Sequence, residues 1–234
     1  MSTNPNPSIF SMIKKARSFL KRTTTGESIV SREQQPSPTE FNGVVMFNLL
    51  TSIECQKMVE AINKKGFNDK NLCQIHDTHL GTVLWSRVLQ FLPKTFADTD
   101  KPNSDEQWEL TSFSNEWRVE KLTSQCCAQD SPMMRDTQKD LTQEGKPQRT
   151  FISFVVYLIS DGFEGGNRLF FKQQDDKEPA REIWPSSGTA MVYKQGDTNG
   201  LYYKDLKLEA GQQYMLKSDI LYTKEKKSRF LNIS

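Results

Sequence analysis

The chain of 234 residues has no long apolar run, only two histidines and four cysteines. No stretch approaches the roughly 20 apolar residues that a membrane-spanning helix needs, so we expect no transmembrane segment. The net charge is only +2, which gives no bulk electrostatic reason to expect a nucleic-acid partner. The cysteines show neither the spacing of a zinc site nor that of a disulfide framework, and a reducing compartment fits them best.

Basic charge is concentrated at the N-terminus. Residues 1–26 hold five lysines or arginines and no acidic residue, and apolar side chains recur among them at three- and four-residue steps. This pattern predicts a basic amphipathic helix with the composition of a mitochondrial transit peptide. A helix docked on its own domain or on a partner, or a membrane-surface contact through residues 9–22, fits the same pattern. We expect a mitochondrial location or, alternatively, a cytoplasmic one.

A polar, proline-containing linker is predicted over residues 27–42 and a charged tail over 224–234, leaving one domain at 43–223. Within this domain we predict a strand at 44–47, a helix from Thr51 or Ser52 to about Lys65, and a second helix over about 78–91. Pro93 ends the second helix. The pattern then changes to short strands separated by glycines, which is typical of a sandwich or jelly roll. We predict these strands at 116–122, 150–159, 167–173, 189–194, 206–208 and 213–222.

Several segments in one order resemble a known family, the prolyl 4-hydroxylase-like dioxygenases that depend on 2-oxoglutarate and Fe(II). The segments are 114–121 (SNEWRVEK), 154–158 (FVVYL) with 163–171 (FEGGNRLFF), 185–193 (PSSGTAMVY) and 211–222 (GQQYMLKSDILY). They are similar to the strand that opens the family's catalytic domain, to a strand with its Gly-Gly turn, and to the next and last strands. The resemblance covers roughly residues 44–222. It implies an α+β fold, a double-stranded β-helix (jelly roll) with supporting helices on one face.

The resemblance also implies an iron site whose ligands this sequence does not supply. The family holds Fe(II) with two histidines and a carboxylate, and the first histidine and the carboxylate form a His-x-Asp pair about a dozen residues after the opening strand. We assign Asp130 to the carboxylate slot, where no histidine accompanies it. Tyr203 falls in the slot of the second histidine, and Gln213 falls where the family binds 2-oxoglutarate with a basic residue. Lys217 lies on the same strand face as Gln213 and is an alternative base.

The remaining reactive side chains give no other catalytic pattern. His76 and His79 precede the second helix, and we interpret them as capping or surface residues outside the barrel strands. Cys126 and Cys127 are adjacent, and we interpret them as two buried or half-buried thiols. We recognise no nucleophilic triad and no phosphate-binding loop.

These observations favour a pseudoenzyme, a non-catalytic binding or structural subunit of a larger protein assembly that uses no cofactor. Its degenerate pocket is expected to contain Tyr157, Asp130, Tyr203, Gln213 and Lys217, with no metal and no catalytic residue. The alternative is an active oxygenase that binds Fe(II) and 2-oxoglutarate through an atypical ligand set, such as Asp130 with Tyr203. A third hypothesis is that Tyr157, Tyr203 and Gln213 line a barrel mouth that binds a small ligand or peptide without chemistry.

Overall fold

The computed structural model describes residues 25–28, 42–97, 107–127, 129–143, 145–158, 162–197 and 200–224. Nearly all of the predicted N-terminal helix, linker and charged tail therefore lie outside the described residues. The short segment Thr25–Ser28 is strand β1, which pairs antiparallel with β2, Gly43–Phe47. Residues 27 and 28, which the sequence assigned to the linker, lie in this strand.

Both predicted helices are present. Helix α1 spans Ser52–Lys65 and begins with a capping box, in which the Thr51 side chain accepts from the Glu54 backbone and the Glu54 carboxylate accepts from the Thr51 backbone. Helix α2 spans Thr78–Val88, is capped by Asp77, and continues as a 3₁₀ turn at Leu89–Phe91. No helix in the described part of the chain is long and apolar enough to cross a membrane.

The remaining elements are strands. They are β3 (Leu72–His76), β4 (Thr95–Ala97), β5 (Gln107–Phe113), β6 (Glu116–Thr123), β7 (Met134–Arg135), β8 (Asp140–Gln143), β9 (Lys146–Tyr157), β10 (Glu164–Gly165), β11 (Arg168–Phe171), β12 (Arg181–Ile183), β13 (Ala190–Lys194), β14 (Tyr202–Asp205), β15 (Leu208–Ala210) and β16 (Gln212–Lys224). Most predicted strands are confirmed. Of the strand expected at 206–208, residues 206–207 connect β14 to β15, and Leu208 begins β15.

The strands form two main sheets. Ten strands make the larger sheet in the order β1-β2-β13-β9-β16-β5-β4, with β6 also on β16, β3 on β6 and β8 on β9. The smaller sheet has the order β12-β11-β14-β7, and β10 pairs with β15. Every pairing is antiparallel.

The larger sheet is buried on both faces, and strand β9 shows how. Phe154 and Val156 pack into a core that includes the inner faces of α1 and α2. Val155 and Tyr157 alternate with them and pack against the smaller sheet. The helices therefore cover one face of the larger sheet, and the space between the two sheets forms the barrel interior.

Candidate functional site in the barrel interior

A cavity of about 320 Å³ opens between the two sheets. Its walls come from β3, β6, β9, β13, β14 and β16, and from the segment that follows β7. Most of the side chains that line it are polar or charged, in contrast to the apolar core on the helical side of the sheet. Chemistry carried by this fold would take place here, because concave sites with a few convergent polar groups are the usual ligand sites.

A single carboxylate, Asp136, organises the polar groups in this cavity. It accepts hydrogen bonds from Ser153 Oγ at 2.5 Å, from the Tyr193 hydroxyl at 2.8 Å and from the Tyr203 hydroxyl at 3.0 Å. Burial raises the pKa of Asp136, but these three hydrogen bonds together outweigh burial and hold the pKa below its ordinary value. Asp136 is therefore an ionised carboxylate inside the barrel whose oxygens are already bonded to hydroxyl groups.

The β7–β14 register places one further side chain, that of Met134, beside Tyr203. Met134 pairs directly with Tyr203 across the two strands. Asp136 lies two residues beyond Met134, and side chains two residues apart project to the same side of an extended chain. Tyr203, the pairing partner of Met134, also donates a hydrogen bond to Asp136. The thioether of Met134, the carboxylate of Asp136 and the phenol of Tyr203 therefore occupy three neighbouring positions.

The structure places Asp130, which the sequence assigned to the carboxylate slot, away from the cavity. Asp130 is exposed at the surface, where it accepts from the Lys207 backbone N–H at 3.0 Å and pairs with Lys204 Nζ at 3.0 Å. It does not join the polar group in the barrel. Residues 124–126 form a turn, and β7 starts about a dozen residues after β6 ends. Counting that distance from Thr123 leads to Met134-Arg135-Asp136, which sequence reasoning missed.

A buried ion pair fills the space beside Asp136. The Arg168 guanidinium donates to both carboxylate oxygens of Asp205, with N–O distances of 2.6 and 2.7 Å. Its centre lies 4.3 Å from the centroid of the Tyr203 ring, and Nη1 donates to the Tyr193 hydroxyl at 3.3 Å. Burial raises the pKa of Asp205, but the charge and hydrogen bonds of Arg168 lower it below its ordinary value. Sequence reasoning missed Arg168, although an arginine within the apolar run of β11 was a visible signal.

Three side chains assigned to the pocket from the sequence do lie inside the barrel. Tyr157 is fully buried, and its hydroxyl has no hydrogen-bond partner among the described residues; burial raises its pKa. Gln213 is buried, and its amide donates to the Gly166 carbonyl at 3.4 Å. Lys217 Nζ bonds to Glu120 at 2.6 Å, and burial lowers the pKa of Lys217. The polar ends of the Gln213 and Lys217 side chains therefore each have a partner within the protein.

The histidines occupy different places. His79 lies in the first turn of α2, as expected for a capping segment. His76 ends β3 opposite Glu116 of β6, and it lines the rim of the 320 Å³ cavity. The expectation that His76 lies outside the barrel strands is wrong, because β3 extends the larger sheet beside β6. Among residues that the structure describes, no three or more His, Cys, Asp or Glu side chains are placed to hold a metal ion.

The geometry was compared with known proteins. No protein-family model matches the chain, and no curated protein matches it. The viral collagen prolyl hydroxylase of Paramecium bursaria Chlorella virus-1, in a truncated form, superposes with a TM-score of 0.51 at 16% identity, over 84% of this chain and 96% of that chain. Its complex with 2-oxoglutarate superposes with a TM-score of 0.50 at 16% identity, over 77% of this chain and 96% of that chain.

A prolyl 4-hydroxylase from Pseudomonas putida gives a TM-score of 0.46 at 13% identity, over 76% of this chain and 91% of that chain. At such low identity the likeness concerns the fold. The chain has the jelly-roll fold found in the 2-oxoglutarate- and Fe(II)-dependent oxygenases, and it is similar in structure to the viral collagen prolyl hydroxylase. The fold expected from the sequence resemblance is thereby confirmed.

Proposed function

We propose that the chain is a non-catalytic member of this fold, a pseudoenzyme that acts as a binding or structural subunit of a larger protein assembly. The observation that carries the proposal is the state of Asp136. In this proposal Asp136 takes the carboxylate position of the implied His-x-Asp pair, but Met134 stands two residues before it, and three hydroxyl groups, including that of Tyr203, already donate to it.

The donor set does not fit Fe(II). Non-haem iron in this class of enzyme is held by two imidazoles and one carboxylate, whereas thioether ligands favour softer metals such as Cu(I). A metal at Asp136 would have to displace hydrogen bonds from Ser153, Tyr193 and Tyr203. It would also lie near the Arg168 guanidinium, which stacks on Tyr203, so like charges would oppose its binding.

The basic groups do not fit 2-oxoglutarate either. Its distal carboxylate needs a charged donor, and Gln213 at the expected position is neutral. Lys217 is engaged by Glu120 at 2.6 Å, and Arg168 is engaged by Asp205. A dicarboxylate would have to compete with a protein carboxylate for each of these two cations, which supports a barrel without this cofactor.

The alternative function, an active oxygenase with an atypical ligand set, is favoured by the residues that line the cavity. The cavity is open, contains the ionised Asp136 and has His76 on its rim. The viral protein whose solved structures resemble this chain is described as a collagen prolyl hydroxylase, so peptidyl proline would be the first substrate class to test. The ligand set of this alternative would use Asp136 in place of Asp130.

A metal titration separates the two functions. Full-length protein is titrated anaerobically with Mn(II), a redox-silent substitute for Fe(II), with and without 2-oxoglutarate. We expect no saturable heat in either case. Saturable Mn(II) binding that 2-oxoglutarate strengthens, and that is lost in Asp136→Asn, would overturn the proposal and would call for a hydroxylation assay.

A gain-of-binding variant tests whether the three converging positions are assigned correctly. Met134→His combined with Tyr203→His places two imidazoles beside Asp136, so we expect Mn(II) or Zn(II) affinity to rise at least tenfold over wild type. The matched control is Met133→His combined with Tyr203→His, which adds the same residues but not at the position that pairs with residue 203. Equal affinity of the two variants would contradict the assignment, and circular dichroism checks that both are folded.

The partner and the location are proposals that rest on the sequence. Chemical cross-linking of the full chain in cells should recover a stoichiometric protein partner, and a monomer without one would contradict the subunit role. We further propose that residues 1–26 direct the chain to mitochondria or dock it on that partner. A reporter fused to this segment should leave the cytosol in the first case, and deletion of the segment should abolish assembly in the second.

A further inference from the structure

Two adjacent thiols lie together in the turn after β6. The backbone N–H groups of Cys126 and Cys127 both donate to the Thr123 carbonyl, at 3.1 and 3.0 Å, and this fixes a tight turn. The two Sγ atoms are 3.5 Å apart. Cys126 is exposed and Cys127 is half-buried, so the expectation of two buried or half-buried thiols is wrong for Cys126. The other two cysteines, Cys55 and Cys73, are buried.

The surroundings of the two sulfurs differ in a way that separates their chemistry. The Thr123 backbone N–H lies 3.1 Å from Cys126 Sγ, and the Thr123 hydroxyl lies 3.5 Å from it. Burial raises the pKa of Cys126, but the hydrogen bonds of Thr123 and Cys127 outweigh burial and lower it. Burial and the neighbouring Cys126 raise the pKa of Cys127 to about 12. An accessible thiol that favours the thiolate therefore lies against a second thiol that keeps its proton.

We propose that Cys126 and Cys127 form a peroxide-reactive dithiol in which Cys126 is the attacking thiol and Cys127 the resolving one. This is the arrangement of reversible redox-sensing thiols: one accessible nucleophilic sulfur beside a second sulfur. It is independent of the function proposed for the barrel, since the turn lies outside the Asp136 cavity and shares none of its lining residues.

The reaction balances with hydrogen peroxide as the oxidant. The Cys126 thiolate attacks one peroxide oxygen; the S–O bond forms, the O–O bond breaks and hydroxide leaves, so the sulfur becomes a sulfenic acid. The Cys127 sulfur then attacks the Cys126 sulfur; the S–S bond forms, the S–O bond breaks, and the departing oxygen takes the Cys127 proton and leaves as water. An external dithiol reverses the step by supplying two electrons through thiol–disulfide exchange.

The short span between the two residues favours a reversible disulfide. Neighbouring Cα atoms are about 3.8 Å apart across a trans peptide, below the usual range of roughly 4.4–6.8 Å for bridged cysteines. Such a bridge is strained, and strained bridges have higher reduction potentials than structural ones. The ring that the disulfide closes would include the Cys127 amide, whose hydrogen bond to the Thr123 carbonyl shapes the turn. Oxidation should therefore loosen the turn, and reduction should restore it.

The test uses the full chain, reduced and then freed of reductant, with one equivalent of hydrogen peroxide. Wild type should lose two reactive thiols and the mass of two hydrogens, and a dithiol should restore both. Cys127→Ser should stop at a sulfenic acid that dimedone traps on Cys126, and Cys126→Ser should not react. Thr123→Val should slow oxidation several-fold. Ser124→Ala, which removes a hydroxyl that bonds to neither sulfur among the described residues, should not.

Three results would overturn the proposal. They are oxidation of Cys126 no faster than that of Cys55 or Cys73, conversion of wild type to sulfinic acid without an intramolecular disulfide, and equal oxidation of the two serine variants. If a variant fails to fold by circular dichroism, limiting iodoacetamide on wild type decides instead. Peptide mapping should then find Cys126 labelled first, and labelling in any other order would refute the assignment.

Discussion

Replacing Arg168 by methionine tests whether the ion pair in the barrel stabilises the fold. Arg168→Met removes the charge, keeps most of the side-chain length, and leaves the Asp205 carboxylate without its bidentate partner. Breaking a buried ion pair by removing one partner costs about 3–5 kcal/mol, because the other charge stays buried. The Arg168 side chain is 0% exposed and that of Asp205 is 21% exposed. Partial solvation of Asp205 places the expected loss at the lower end, about 3 kcal/mol.

The partner substitution should cost at least as much. Asp205→Leu leaves the guanidinium of Arg168 fully buried, and a guanidinium does not escape its charge by losing a proton. The double variant Arg168→Met/Asp205→Leu removes both charges and keeps the volume, and such replacements are often neutral or stabilising. Tyr193, which loses its contact with Arg168, still donates to Asp136. We therefore expect the double variant to lie within about 1 kcal/mol of wild type, so that the single costs are strongly non-additive.

Urea unfolding at pH 7 measures these costs through the transition midpoint at constant slope. The control is Arg118→Met, which breaks an ion pair with Glu120 in which Arg118 is 52% exposed. Surface pairs of this kind contribute about 0–1 kcal/mol, so the control should hardly shift the midpoint. Two results would refute the reasoning: a loss below about 1 kcal/mol for Arg168→Met, or single costs that simply add in the double variant.

Two further predictions concern acid stability and helix capping. The folded-state pKa values of Asp136 and Asp205 are lowered, so both stabilise the protein above their ordinary pKa of 3.8, and this contribution is lost as the pH falls through the folded values. Thermal melts between pH 7 and pH 3 should show the melting temperature falling steeply below about pH 4, and less steeply in Asp136→Asn; an unchanged slope would contradict this. Thr51→Ala should lower the free energy of unfolding by about 1 kcal/mol, because the capping box with Glu54 is lost. Thr82→Ala, an exposed change within α2, should cost nothing in the same urea assay, and equal losses would refute the capping argument.

Elements with a strong local signal could be predicted from the sequence. The apolar run of β9 identifies a strand buried on both faces, and the capping residues of α1 mark its start. Strand β3 was not predicted, because its five residues contain only two buried apolar side chains, Cys73 and Ile75, which is too short a pattern to identify a strand. It pairs with β6, which lies far along the chain. Short edge strands of this kind are defined by their pairing rather than by their composition.

The same distinction applies to the site. Tyr203 and Gln213 could be placed because Gly211, which has a positive φ of 78° and close backbone neighbours, fixes the start of β16. Asp136 could not be placed, because the irregular chain between β6 and β7 has no such landmark. Arg168 gave a signal, but its role depends on Asp205, which lies 37 residues away and on a neighbouring strand.

The pairing of charges inside the barrel is the strongest physical argument about its use. A site prepared to bind a charged ligand keeps polar groups unpaired until the ligand arrives, and this costs stability in the free protein. Here Arg168 is neutralised by Asp205, Lys217 by Glu120, and the oxygens of Asp136 are bonded to three hydroxyl groups. Each of these groups has a partner from the chain itself, so the free protein leaves none of these charges buried without a partner. This internal pairing supports the proposal of a barrel retained for its surface contacts, and under that proposal Met134 and Tyr203 would have to become histidine before a metal binds at Asp136.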